Sequence, residues 1–248
     1  MNQEQRLNYL EAMGIQVWLP RRSKHDVPDE DYVSTESVIE KPCETIIQEG
    51  DRSDKIHTWD NLSTQVRTCT SCVLHKTRIQ TVFGIGDEHA DWMIIGEAPG
   101  AQEDQQGEPF VGRAGLLLNE ILFSLGLQRS AVFIANILKC RPPNNRDPLP
   151  NEVEACSSYL KQQVELIAPR IILALGRIAA QNLLQTRESI GRLRGRVHYY
   201  QSIPVIVIYH PAYLLRSPVE KRKVLQDLIL AQQTLGKVSF SENHTNNE

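Results

Sequence analysis

The sequence predicts an α/β fold built on a mostly parallel sheet with both faces covered. Two observations carry this. Four short runs, Trp92–Ile95, Val132–Ile137, Arg170–Leu175 and Pro204–Tyr209, are almost continuously apolar rather than alternating, as strands buried on both faces are. Segments of helical period lie between them, and strand–helix alternation is the pattern of a parallel sheet. A third inference follows: ligands of such sheets bind outside the carboxyl ends of the strands. The residues directly after each run therefore matter most.

The elements are justified in chain order. Ala114–Leu125 has helical periodicity and stops at Gly126. Pro150–Ile167 opens on a proline, which suits a first helical turn. Arg177–Leu184 follows Gly176 as a third helix. Ser217–Leu235 begins Ser-Pro, an N-cap and first-turn pair. The strand ends then deliver four segments to one edge: Gly96-Glu-Ala-Pro-Gly100, Asn136 through Pro143, Gly176-Arg177, and His210-Pro-Ala-Tyr-Leu-Leu-Arg216. The first lacks Gly-x-Gly-x-x-Gly spacing and a Gly-Lys-Ser/Thr ending, so it is a poor phosphate loop. A carboxylate, an amide and an imidazole at three strand ends instead suit hydrolytic or lyase-like chemistry on a small polar ring.

Charge divides the chain. Its 248 residues carry a net −3, which at face value argues against a nucleic-acid partner. Residues 1–60 hold seven Lys/Arg against thirteen Asp/Glu, while residues 61–236 hold nineteen against fifteen. The expected organisation is a short docking-like segment at 1–22, an acidic disordered linker at 23–60, a catalytic domain at 61–236 and a disordered tail at 237–248. The first segment has a helical face of Leu7, Leu10, Ala12 and Met13, then Trp18. It reads either as a helix packed on the main domain or as a tethered anchor for a partner. No apolar run approaches the ~20 residues of a membrane span, and the polar start is no secretory signal. The expectation is a cytoplasmic protein with no membrane partner.

Five cysteines in such a chain read as thiols or metal ligands rather than disulfides. Cys69 and Cys72 form a Cys-x2-Cys. Cys140 and Cys156 enclose fifteen residues, and Cys43 stands alone. By count, four thiolates fit zinc or an iron–sulfur cluster equally well.

Three stretches together resemble the family 4 uracil-DNA glycosylases, the iron–sulfur type: Gly96 through Leu118, Asn136 through Pro143, and His210 through Arg216, alongside the two cysteine pairs. The resemblance spans about residues 62–236. It implies a three-layer α/β/α sandwich around a central four-stranded sheet and a [4Fe-4S] cluster on Cys69, Cys72, Cys140 and Cys156. It also implies hydrolysis of the uracil N-glycosidic bond in single- or double-stranded DNA by a bacterial, nucleoid-associated monomer. Relatives that trap the abasic site covalently carry Lys-Arg-Arg-Ile-His after the second strand. Asn144-Asn-Arg-Asp-Pro-Leu149 stands there instead, so no covalent adduct is expected.

The same resemblance assigns roles. The extruded base would be held by Gly96, Phe110, Asn136 and Glu103, with Phe110 stacking, Asn136 reading O4 and N3–H, and Glu103 facing C5. His210 would donate to the developing oxyanion at O2, and Glu97 would place water or stabilise the cationic sugar. The segment Tyr213 to Arg216, which holds Leu214, Leu215 and Arg216, stands where the family has its duplex-penetrating wedge. Apart from the resemblance, the basic run Arg192, Arg194 and Arg196, with Lys139, Arg141 and Arg146, reads as a lining of the DNA groove. Residues Tyr9–Arg22 are similar to the N-terminus of the clamp-loader psi subunit, which implies a replication partner. A competing reading is a replication-associated nucleic-acid-binding protein with weak or no glycosylase activity.

Overall fold

Residues that face neither side to water make the sheet. Every residue of β2 (Trp92–Gly96), β3 (Phe133–Asn136) and β4 (Ile171–Leu175) is buried, as is β6 (Ile203–Ile208) after its first residue. In this computed structural model, which describes residues 52–245, the four strands pair in parallel in the order β3-β2-β4-β6. Two short strands extend the sheet beyond the four expected. β1 (Ile85–Gly86) pairs antiparallel with β3, and β5 (Val197–Tyr200) pairs antiparallel with β6. Their sequences carry no apolar run, because an edge strand is half-covered at most and needs none. The result is a mixed six-stranded sheet.

Alternate residues of each strand feed two cores. Met93, Ile95, Phe133, Ala135, Ile172, Ala174, Val205 and Val207 meet α4 (Pro150–Ile167) and α5 (Gly176–Leu184), together with Trp59 of α1 (Arg52–Thr68). Trp92, Ile94, Ile134, Ile171, Leu173, Ile206 and Ile208 meet α3 (Arg113–Ser124), α7 (Pro211–Arg216) and α8 (Lys221–Thr245). Two shorter helices, α2 (Ala101–Gln106) and α6 (Ile190–Leu193), lie in the connections. The three-layer sandwich is thus realised.

Two expected boundaries move. α1 starts inside the stretch expected as linker, because Trp59, Leu62 and Val66 form one helical stripe across residue 60. Leu62 and Val66 are fully buried, and the Trp59 ring stands edge-on to Phe83 and Phe133. α8 continues to Thr245, into the expected tail. Residues 1–51, with the docking segment, most of the linker and Cys43, lie outside the described residues.

Candidate active site

The connection after β2 leads to the face bearing α3, whereas those after β3 and β4 lead to the opposite face. Divergent connections open a crevice at the carboxyl edge. A cleft of about 500 Å³ lies there, lined by Glu97, Ala98, Gly100, Glu103, Phe110, Ala114, Asn136, Asn145, His210, Ala212, Tyr213 and Arg216. All four strand-end segments reach this edge, and three of them contribute lining side chains.

Asn136 ends β3 and is 2 % exposed, yet its Oδ1 is buried without a hydrogen-bond partner. A buried acceptor left unpaired costs about 1–3 kcal/mol, so its persistence points to a ligand donor. Its backbone carbonyl accepts from Lys139 Nζ at 3.0 Å. A Cβ on Gly96 would overlap Asn136 Oδ1 and come within 2.6 Å of Phe110 Cζ. Only glycine lets the amide and the ring approach over the same spot.

Phe110 forms one side of that spot. Its φ of 55° is a left-handed backbone that a bulky side chain rarely adopts, and such strain collects at functional sites. The turn is closed by Gly115, where any Cβ would overlap the Phe110 carbonyl. The Phe110 ring stacks with the imidazole of His210 at 5.7 Å between centroids.

His210 is the N-cap of α7. Its Nδ1 accepts from the Ala212 N–H at 3.1 Å, so the ring proton resides on Nε2, the other nitrogen. Burial, reinforced by Arg216, pushes its pKa down to about 4. The imidazole is therefore neutral near pH 7 and carries a single N–H donor.

Glu97 follows β2. Burial, reinforced by the Asp147 carboxylate and opposed by Arg177, pushes its pKa up to about 7. Arg177 Nη2 and Asp147 Oδ2 pair at 2.6 Å. Glu103 is half-buried with both carboxylate oxygens engaged: Oε1 accepts from Val111 N–H (3.0 Å) and Gly112 N–H (3.1 Å), and Oε2 from Gly100 N–H (3.1 Å). The side chain lines the cleft and simultaneously clamps the Phe110 turn.

The cysteine pairs also converge. Cys69 and Cys72 lie between α1 and a 3₁₀ turn, Cys140 follows β3, and Cys156 sits on α4. Cys72, Cys140 and Cys156 share a small core with Leu74 and Leu138. Burial raises the Cys140 thiol pKa and pushes that of Cys156 up to about 11. Donors point at three sulfurs: Arg78 Nη1 at Cys140 Sγ (3.0 Å), Lys139 N–H at Cys156 Sγ (3.3 Å) and Ser71 N–H at Cys69 Sγ (3.5 Å).

Several basic residues have other employment than the expected groove. Lys139 is 1 % exposed and donates to Asn136 O and, at 2.6 Å, to Gln163 Oε1. Arg194 pairs with the buried Asp227 at 2.8 Å and lies over the Tyr209 ring. Arg146 forks onto the buried Glu152. Leu214 is 1 % exposed, packed in the core beneath α7. These side chains make internal contacts in the structure; a run of charge in sequence does not say which guanidinium finds an internal carboxylate. Tyr213, Leu215, Arg216, Arg141, Arg192 and Arg196 remain at the surface, although Arg196 pairs with Glu188 at 2.8 Å and Arg141 Nε donates to Asn145. Sequence reasoning named Arg177 only as a strand-end residue and assigned no role to Asp147, Asp104 or Gly115. Asp147 and Arg177 follow β3 and β4, so strand-end position alone was the available signal.

Comparison with known proteins agrees with this geometry. The family profile described as the uracil DNA glycosylase superfamily matches residues 83–230. The type-4 uracil-DNA glycosylase of Archaeoglobus fulgidus is 45 % identical over 186 residues, covering 72 % of this chain and 94 % of the relative. That of Thermotoga maritima is 42 % identical over 180 residues, covering 71 % and 94 %. A type-5 uracil-DNA glycosylase of Pyrobaculum aerophilum is more distant, at 33 % over 146 residues. With the cleft, the thiol cage and these relatives in agreement, the chain belongs to the uracil DNA glycosylase superfamily, in its type-4 group.

Proposed function

We propose that this protein is a DNA repair enzyme that draws uracil out of DNA and hydrolyses its N-glycosidic bond, leaving an abasic site. The unpartnered Asn136 Oδ1, buried beside Phe110, carries the reading. In uracil, N3 bears a proton and O4 is an acceptor, so an amide pairs with both through Oδ1 and Nδ2. Cytosine reverses both polarities and leaves the same groups unpaired, at about 1–3 kcal/mol. The base stacks on Phe110. As the bond from C1′ to N1 breaks, its electron pair moves onto the base, and charge gathers at O2. His210 Nε2–H donates there; a neutral donor held by the Ala212 N–H needs no reorganisation when the charge appears. Glu97, as carboxylate, orients the water that adds to C1′ and stabilises the cationic sugar; the proton that water sheds balances the one the departing uracil anion takes up.

Arg141, Arg192, Arg196 and Arg216 are the side chains available to phosphates, with Tyr213 and Leu215 at the α7 tip as the wedge that fills the vacated stack. The cage of Cys69, Cys72, Cys140 and Cys156 suits a [4Fe-4S] cluster. Four thiolates would hold zinc or a cluster equally well by count, and the similarity to the type-4 relatives favours the cluster. The N–H donors at three sulfurs support thiolates. When bound, the cluster supplies cross-linking and negative charge, with no part in bond cleavage. Residues 1–22, outside the described residues, tether the enzyme to a clamp-loader subunit.

The test is release of free uracil from a uracil-containing oligonucleotide. Release is expected from cluster-loaded protein; none from intact, brown protein overturns the enzyme reading in favour of a binding role. A colourless active preparation overturns the cluster. Failure of residues 1–22 to retain any clamp-loader subunit in a pull-down overturns the tether.

A further inference from the structure

The strained turn at Phe110 is held from outside by the Glu103 clamp. Glu103 in turn belongs to α2, a six-residue helix too short to be rigid by itself. The next side chain along, Asp104, is 1 % exposed. Its Oδ1 accepts from the N–H of Ile79 at 2.9 Å and of Gln80 at 3.4 Å. Gln80 Nε2 donates to the Gln105 carbonyl at 2.6 Å. Residues 78–80 thus cross α2 as a strap. At the strap's other end, Arg78 donates to Cys140 Sγ and, at 2.7 Å, to the Cys69 carbonyl. Two neighbouring carboxylates on one short helix therefore face opposite ways. Glu103 grips the turn that presents Phe110, and Asp104 grips a strap anchored in the thiol cage.

We propose that Asp104 is a positioning residue of the base pocket, fixing α2 to the strap and thereby setting the height of the Phe110 ring. The proposal rests on the cleft being the uracil site. Asp104 lines no part of the cleft, so it acts through Glu103 and the turn. A ring at the wrong height weakens stacking equally in the ground state and the transition state. Such uniform loss raises KM and leaves kcat in place.

Steady-state uracil release by the cluster-loaded, full-length chain tests this. Asp104→Ala removes the acceptor of two backbone N–H groups and is expected to raise KM about tenfold with kcat within about threefold. Asp104→Asn keeps an oxygen at the Oδ1 position and is expected to restore KM to within about threefold of wild type. Gln80→Ala, at an exposed residue, loosens the strap without touching the core and is expected to raise KM about two- to threefold. Should Asp104→Ala fail to fold, Gln80→Ala decides the matter. Unchanged KM in every folded variant, or a fall in kcat with KM unmoved, overturns the proposal while wild-type release leaves the glycosylase reading intact. A wild-type enzyme releasing no uracil overturns both.

Discussion

Asn136 Oδ1, buried without a hydrogen-bond partner in the cleft, is the atom to which the proposed reading assigns selectivity for uracil. Asn136→Ala removes the acceptor without opening the fold, and a loss of about 10- to 100-fold in kcat/KM for uracil is expected from oligonucleotide kinetics. His210→Ala removes the donor proposed for O2, with an expected loss of about 10²–10³ in kcat. The role proposed for Glu97 predicts a rate that depends on pH. Its pKa of about 7 means the carboxylate form grows in as pH rises through neutrality, so kcat/KM climbs to a plateau above that point. Asp147→Asn removes a negative neighbour, lowers the Glu97 pKa and moves the limb to lower pH; Arg177→Ala moves it higher. A pH–rate profile that is the same in all three proteins contradicts the assignment. The same shift bears on stability. A carboxyl raised from 4.5 to about 7 costs the folded state when ionised, so its contribution is lost as pH climbs through that window. Glu97→Gln is expected to gain on the order of 1 kcal/mol at pH 8 after allowance for solvent screening, read by denaturant titration.

At the scale of elements, burial decided what the sequence could show. The four strands that are covered on both faces announce themselves by continuous apolar runs, and their ends gave Glu97, Asn136 and His210. β1 and β5, covered on one side or less, announce nothing. α2 is likewise silent, since Ala101–Gln106 holds a single buried residue, Asp104. Charge was legible as a total and illegible as an assignment. Arg194 joins the segment before β5 to α8 by pairing with Asp227, whose carboxylate has no exposure. Removing one partner of a buried pair costs about 3–5 kcal/mol. Arg194→Ala is accordingly expected to lower Tm by about 6–20 °C, at 2–4 °C per kcal/mol for a domain of this size. Salt-dependent DNA affinity should change little at that position. A variant with wild-type Tm and weakened DNA binding reverses the assignment.

Across the whole molecule, the net −3 averages an acidic N-terminal stretch and a basic body. Phosphate binding is a property of that body, so oligonucleotide affinity should fall steeply with salt. The cage can be tested on the same scale. Cys156→Ser is expected to abolish visible absorption and lower Tm by more than about 5 °C, which for this size of domain is about 2 kcal/mol. The cysteine spacing was readable in the chain, whereas the strap from Arg78 to Asp104 was not, because its contacts depend on how α2 folds back. The cage also has a bearing on how the protein matures. Its four sulfurs flank β1, β2 and β3 in the sequence, two before and two after. They come together only when β3 has found its register beside β2 and α4 has docked. A chain with β3 misaligned offers an incomplete set of corners. Were the proposed cluster to bind there, its loading would act as an inspection step, and the colour of a preparation would count the molecules in which β3 and α4 are correctly assembled.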